Sequence, residues 1–217
     1  MTTDDNQAAR AAATTEAPMA TAHSRLVDLS CFRRAGDTPR LPIPPPWAIP
    51  TLTLALIAIL TFTVPTASVT PAVAFAAFAP ALAWVDADVH RLPNALTRPA
   101  TAAVAIAATA TALVAEDWDK LERAILGAGV AAAIMLTLAH IAGVGLGDVK
   151  LAIPLIASAA WHSWPVAFWA FLAGWMLNAA IVFAMRAIGR RERHSPLGPP
   201  LILGWIFAIT LAACQNP

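Results

Sequence analysis

Between two apolar runs of the chain lies the segment GVGLGDVK, Gly143–Lys150, which carries an acid where the surrounding sequence avoids charge. No Asp, Glu, Lys or Arg occurs in residues 124–147 or 151–185. A carboxylate at or near the hydrocarbon of a bilayer costs about 2.5 to 3.5 kcal/mol on insertion scales, so Asp148 indicates a functional role. The neighbouring glycines remove side-chain bulk and let another backbone approach this acid closely.

The apolar runs predict the fold class. Apolar residues make up 59% of the 217 residues, against roughly 45–50% in an average soluble protein. The segments without Asp, Glu, Lys or Arg are 47–85, 99–115, 124–147, 151–185 and 195–217. A membrane-spanning helix needs about 20 residues, so the first and fourth segments are each long enough for two helices. We therefore predict an all-α polytopic membrane protein with about seven transmembrane helices.

The same charge-free runs predict the boundaries of the helices. The expected helices are 47–64, 68–85, 99–115, 124–142, 149–160, a sixth that ends near 185, and a seventh after the proline-rich 196–200 segment. Asp86 is then expected at a helix end, followed by a polar loop to Arg98 with a turn at Pro93-Asn94. Residues 1–46 are expected to be a disordered tail with a stiff proline-rich lead-in, and residues 47–217 the transmembrane domain.

Charge distribution predicts the orientation. With a cytosolic amino terminus and seven crossings, 12 of the 14 basic residues fall on the cytosolic side. Only Lys120 and Arg123 are then external, within an acidic connection. Basic residues are enriched in cytosolic loops of membrane proteins, so we expect the amino terminus and both Asp86 and Asp148 on the cytosolic side.

The two acids suggest a chemistry. Asp86 and Asp148 are separated by two predicted helices, which returns them to the same membrane face. Two carboxylates in one site share a proton, so the ionised acid can activate a water while the protonated acid polarises a peptide carbonyl. His162 and Ser163 lie in a turn on the other face, and a serine nucleophile is not favoured there. The two cysteines, Cys31 and Cys214, stand at opposite ends of the chain and form no CxxC pair, so a cysteine zinc site is not expected. No other cluster of side chains suggests a metal site, and no cofactor is expected.

These motifs carry a resemblance. The segment VDADVHRLPNALT, residues 85–97, and the later GLGDVKL, residues 145–151, resemble the type IV prepilin peptidase family of GxGD membrane aspartyl proteases. In that family the first catalytic acid stands seven residues before Pro-Asn or Pro-Asp, and the second follows Gly-x-Gly. Gly198-Pro199 resembles a third landmark of the family. The resemblance covers about residues 81–204 and implies a GxGD protease bundle in which Asp86 and Asp148 are catalytic.

The resemblance also implies substrates and a location. Such enzymes cleave prepilins or pseudopilins after a glycine, at the cytosolic edge of the substrate helix, in the bacterial plasma membrane, for pilus assembly or protein secretion. The cysteine-containing cytosolic methylation domain of bifunctional members has no counterpart in this chain, so the short, peptidase-only form is expected. The presenilin branch is not favoured, because this chain contains no tyrosine. The bilayer is the other expected partner, and nucleic acid is not.

Six residues are candidates for supporting the site: Asp88, Pro93, Asn94, Gly145, Gly147 and Lys150. For Asp88 a role in the site and a purely structural role are both open. Lys150 either acts on Asp148 or anchors the helix at the interface, which is the favoured interpretation. If the glycines give substrate a path, Gly147→Leu should reduce activity with little loss of folded protein, and Gly143→Ala should be tolerated.

Two other functions remain open. A proton-coupled transporter could use Asp86 and Asp148 as proton carriers, although transporters usually place such groups near the bilayer midplane. A non-catalytic membrane assembly factor would tolerate asparagine at both positions.

Overall fold

The structure, a computed structural model, describes residues 29–33, 39–64, 66–189 and 196–215 of the chain. Within these ranges the secondary structure is helical throughout, as the sequence predicts. A short 3-10 turn, Leu29–Phe32, precedes the α-helices. The α-helices are α1 Ala48–Thr63, α2 Thr66–Ala76, α3 Ala79–Val89, α4 Asn94–Ala115, α5 Trp118–Ala142, α6 Leu146–His162, α7 Trp164–Ala187 and α8 Gly198–Gln215.

Helices α2 and α3 form one bent crossing. Pro80 lies in the first turn of α3, where it cannot donate to the preceding turn and its ring crowds the carbonyl four residues earlier, so the helix breaks after Ala76. Among the described residues, four helical segments are long and apolar enough to span a bilayer: Val69–Val89, Asn94–Ala115, Trp118–Ala142 and Trp164–Ala187. With α1, α6 and α8, the described residues form seven helical rods, and the protein is a polytopic helical membrane protein.

The outer surface fits a bilayer. Large apolar side chains project from most of the rods, and Phe62, Val114 and Phe183 are 90%, 88% and 76% exposed. Such contiguous exposed apolar surface is unusual in a soluble monomer, whereas lipid covers it in a membrane protein. The prediction of a polytopic membrane protein is therefore confirmed.

Several helix ends differ from the sequence prediction. Helix α3 continues to Val89, so Asp86 lies inside a helix and the polar loop shrinks to residues 90–93. Helix α5 begins at Trp118, and the acidic segment predicted as a connection forms its first two turns. The predictions were wrong because they ended each helix at its last uncharged residue. Residues with polar side chains can remain helical at the membrane interface. Asp119 lies in the first turn of α5, where a negative charge interacts favourably with the helix dipole.

Glycines let neighbouring helices of the bundle pack closely and so fix their positions along one another. A Cβ at Gly204 of α8 would lie 2.3 Å from the backbone nitrogen of Gly174 in α7. A Cβ at Gly127 of α5 would lie 2.6 Å from the Cβ of Ala160 in α6. Small residues let helices pack closely in membranes, where van der Waals contact drives association. These contacts hold α6 and α8, whose first turns border the site described below.

Part of the predicted tail packs on the bundle. Leu29 is 6% exposed and joins a cluster with Ile49, Ala81 and Val85. Residues 1–28 and 34–38 of the expected disordered segment lie outside the described residues, so for them that expectation stays a prediction.

Candidate active site

The structure brings Asp86 and Asp148 together at one end of the bundle. Asp86, in the last turns of α3, is 4% exposed, and Asp148 lies in the first turn of α6. Both line the same two cavities. At the other end of the 17-residue α6, about 25 Å away, Arg123 donates to the carbonyls of Ala160 and Trp161.

Gly198 holds the first acid. Its backbone N–H donates a 2.8 Å hydrogen bond to Oδ2 of Asp86. This donor belongs to the first turn of α8, where backbone N–H groups have no partner within the helix. A Cβ at Gly198 would lie 2.7 Å from the same Oδ2 and 3.0 Å from Cγ. Only glycine therefore fits beside the carboxylate in this arrangement.

The glycine loop before α6 forms the immediate surroundings of the second acid, Asp148. Gly145 precedes the helix, and its carbonyl accepts a 3.0 Å hydrogen bond from the backbone nitrogen of Asp148. A Cβ at Gly145 would lie 3.1 Å from Oδ2 of Asp148, tight against the carboxylate. Gly143 has φ of 70°, a conformation that costs other residues roughly 1–2 kcal/mol. The expectation that Gly143→Ala is tolerated therefore does not fit this backbone.

Gly147 has a packing role. A Cβ there would lie 3.2 Å from Cβ and 3.3 Å from the backbone nitrogen of Leu92. The residue thus permits the 90–93 loop to pack against the first turn of α6. The expectation that Gly147→Leu leaves the fold intact is inconsistent with this contact, because a leucine would displace Leu92.

The first of the two cavities has a polar wall. Pro93, Asn94, Gly145, Gly147 and Lys150 line it, and its volume is about 380 Å³. Nζ of Lys150 donates a 2.8 Å hydrogen bond to Oδ1 of Asn94 and so ties α6 to the start of α4. Ligand pockets typically measure about 300–1,000 Å³, so this cavity is large enough to admit part of a substrate. Five of the six supporting candidates therefore lie at the cavity of the acids.

Asp88 is the exception. It lines neither of the two cavities; its Oδ2 accepts from Nε of Arg33 at 2.7 Å, and its Oδ1 accepts from the backbone nitrogens of Arg40 and Leu41. Arg33 also donates to the carbonyl of Leu41. Asp88 thus fastens the segment before α1 onto α3, and of the two open interpretations the contacts favour the structural one.

The second cavity continues the first on the far side of the acids. It measures about 250 Å³, shares Asp86, His90, Gly145 and Asp148 with the first, and reaches Trp175 and Asn178 on α7. The two acids therefore lie between the two cavities, inside one groove. Sequence reasoning missed the α7 wall, for which Asn178 in an otherwise apolar helix was the available signal.

In the ranges that the structure describes, no cluster of three or more His, Cys, Asp or Glu side chains could hold a metal ion. Ser163, which the sequence did not favour as a nucleophile, caps α7 by accepting from the backbone nitrogen of Val166.

Comparison with known proteins agrees with the motifs. The model of the type IV leader peptidase family matches residues 73–185, a little more than half of the chain. The match includes both acids and the α7 residues of the second cavity. No curated protein and no solved structure gives a significant match. By the extent of the family match, the chain belongs to the type IV leader peptidase family.

Proposed function

We propose that the protein is an aspartic endopeptidase that removes the short basic leader of prepilin-like substrates at the cytosolic face of the bacterial plasma membrane. The observation that carries this proposal is the placement of two acids from α3 and α6 in one groove. Family membership supports a peptidase, and the paired carboxylates supply chemistry that such a peptidase needs.

The reaction would use both carboxylates as one unit. One acid is ionised and takes a proton from a water, whose oxygen attacks the scissile carbonyl, while the protonated acid donates to the carbonyl oxygen. Collapse of the tetrahedral intermediate then breaks the C–N bond, and the amine leaves with a proton from the pair.

The position of the acids supports a substrate that meets the enzyme at the membrane surface. Asp86 lies one turn before the end of α3, and Asp148 in the first turn of α6, beside the exposed Arg91 and Lys150. Basic residues near helix ends favour the cytosolic side, where the leader of a prepilin remains. A proton-coupled transporter would use acids nearer the midplane.

The proposal is tested by incubating purified protein with a synthetic segment that contains a prepilin leader and the start of its apolar helix. Wild-type protein should release the leader. Asp86→Asn and Asp148→Asn should not, although both should insert into membranes. Cleavage by either variant at the wild-type rate would refute the assignment of the pair.

A further inference from the structure

Two polar atoms on α7 border the far end of the groove. Oδ1 of Asn178 and Nε1 of Trp175 are covered from solvent, and neither has a hydrogen-bond partner in the described part of the chain. Both residues line the cavity that contains Asp86 and Asp148. A buried polar group without a partner costs about 1–3 kcal/mol, so this pair calls for an explanation.

The sequence of α7 makes the position of Asn178 informative. From Trp164 to Met185 it is the only side chain with an amide, hydroxyl or charge. Polar residues in membrane helices either bond to a neighbouring helix or serve a function. Oδ1 of Asn178 has no hydrogen-bond partner on another helix among the residues that the structure describes.

Trp175 and Asn178 lie on the same face of α7. Positions three apart lie on the same side of an α-helix, and in α7 this side turns toward the acids. The opposite side carries Trp169, which is 49% exposed. The polar atoms therefore face the groove and not the lipid.

We propose that Asn178, together with the indole N–H of Trp175, binds the main chain of the substrate beside the scissile bond. This proposal rests on the proposed peptidase function and adds a substrate-binding subsite to it. Each residue of an extended peptide has one N–H donor and one C=O acceptor that need partners outside water. A side-chain amide offers both an acceptor and a donor, and the indole offers a donor for a carbonyl.

The chemistry of the wall favours main chain over a particular side chain as the ligand. Ala142, Val144, Val182 and Leu197 line this end, and among the described residues the two acids and His90 are its only titratable side chains, with no Lys or Arg. The Asn178 amide can also rotate by half a turn about its Cβ–Cγ bond, which exchanges the positions of its oxygen and nitrogen. It can therefore present whichever group the bound peptide lacks.

The first experiment compares the wild type with Asn178→Leu, which keeps the branched shape of the side chain and removes its hydrogen bonding. We expect kcat/KM for a prepilin segment to fall about 10-fold, mainly through a higher KM, since one hydrogen bond in a groove contributes on this order. The melting temperature should not fall, because the resting protein loses no hydrogen bond. Trp175→Phe should lower kcat/KM similarly, and Trp169→Phe on the lipid-facing side is the matched control.

The second experiment replaces single backbone amides of the substrate by esters, which removes one N–H at a time. One ester near the scissile bond should cost the wild-type enzyme about 10-fold and cost Asn178→Leu nothing further. Unchanged kcat/KM in Asn178→Leu would overturn the inference, as would a loss accompanied by a lower melting temperature and no ester-dependent difference. Failure of wild-type protein to cleave any prepilin segment would overturn the peptidase function and this subsite together.

Discussion

The backbone N–H of Gly198 donates a 2.8 Å hydrogen bond to Oδ2 of Asp86, a residue 112 positions earlier in the chain. The contact joins the start of α8 to the acid-bearing end of α3. It makes the position of the carboxylate depend on a residue without a side chain, outside the 73–185 family match.

Gly198→Ala should therefore strongly lower the activity of the protein. The added Cβ would lie 2.7 Å from Oδ2 of Asp86, and either the carboxylate or α8 must move. A displacement of about 1 Å in a catalytic group can cost on the order of 10²-fold in rate, so we expect kcat/KM on a prepilin segment to fall by that factor. Gly129→Ala, at a position with nothing within 4 Å of the new Cβ, is the control and should keep full activity. Equal activity in the two variants would show that the Gly198 contact does not position Asp86.

The two acids should behave as one unit. Asp86→Asn and Asp148→Asn should each lower kcat by at least about 10³-fold, and the double variant should be no slower than either single one, because removal of one member of a catalytic unit already removes its function. Asp119→Asn, an exposed acid in the first turn of α5, is the matched control. Multiplicative losses in the double variant would indicate that the acids act independently.

Asp88→Asn should act on stability more than on catalysis. The variant weakens the 2.7 Å ion pair with Arg33 while it leaves Asp86 and Asp148 in place. Since Arg33 is partly exposed, the loss should be about 1–3 kcal/mol rather than the larger cost of a fully buried pair. Thermal unfolding measured for Asp88→Asn, Arg33→Gln and the double variant should show that the two losses do not add. A loss of cleavage equal to that of Asp86→Asn would assign Asp88 to the chemistry instead.

Topology can be tested with reporters. A reporter fused after Arg191 should be cytosolic, and one inserted near Trp118 should be external, because basic residues favour the cytosolic side. The opposite result would place the acids on the face that a basic prepilin leader does not reach. The proposed substrate class would then be wrong, whereas membership of the family would stand.

The sequence predicted the number of membrane helices and the shared membrane face of the two acids, because these depend on hydropathy and on counting crossings. Charge-free runs are long enough to identify seven rods, and an even number of rods between Asp86 and Asp148 returns the acids to one face. Helix ends were less predictable because the charged first turns of α5 are helical at the interface.

Contacts between distant residues were not predictable from the sequence. Arg33 is 55 positions from Asp88, and no local pattern relates them. The donor at Gly198 is a backbone N–H, a group that every residue except proline carries. Asn178 lies in an apolar run, and the sequence alone does not show which face of that helix turns toward the acids.

Gly147 provides the last prediction. Its Cα lies so close to the 90–93 loop that a Cβ would be 3.2 Å from Cβ and 3.3 Å from the backbone nitrogen of Leu92. Gly147→Ala should force a shift of a few tenths of an ångström and lower the melting temperature modestly. Gly147→Leu should displace the loop, and with it Asn94 and Lys150, so folded yield and kcat/KM should fall together. Gly129→Leu places the same side chain on an open position of α5 and should retain both. Wild-type yield in Gly147→Leu with lost activity would instead support the expectation that Gly147 opens a path for substrate beside Asp148.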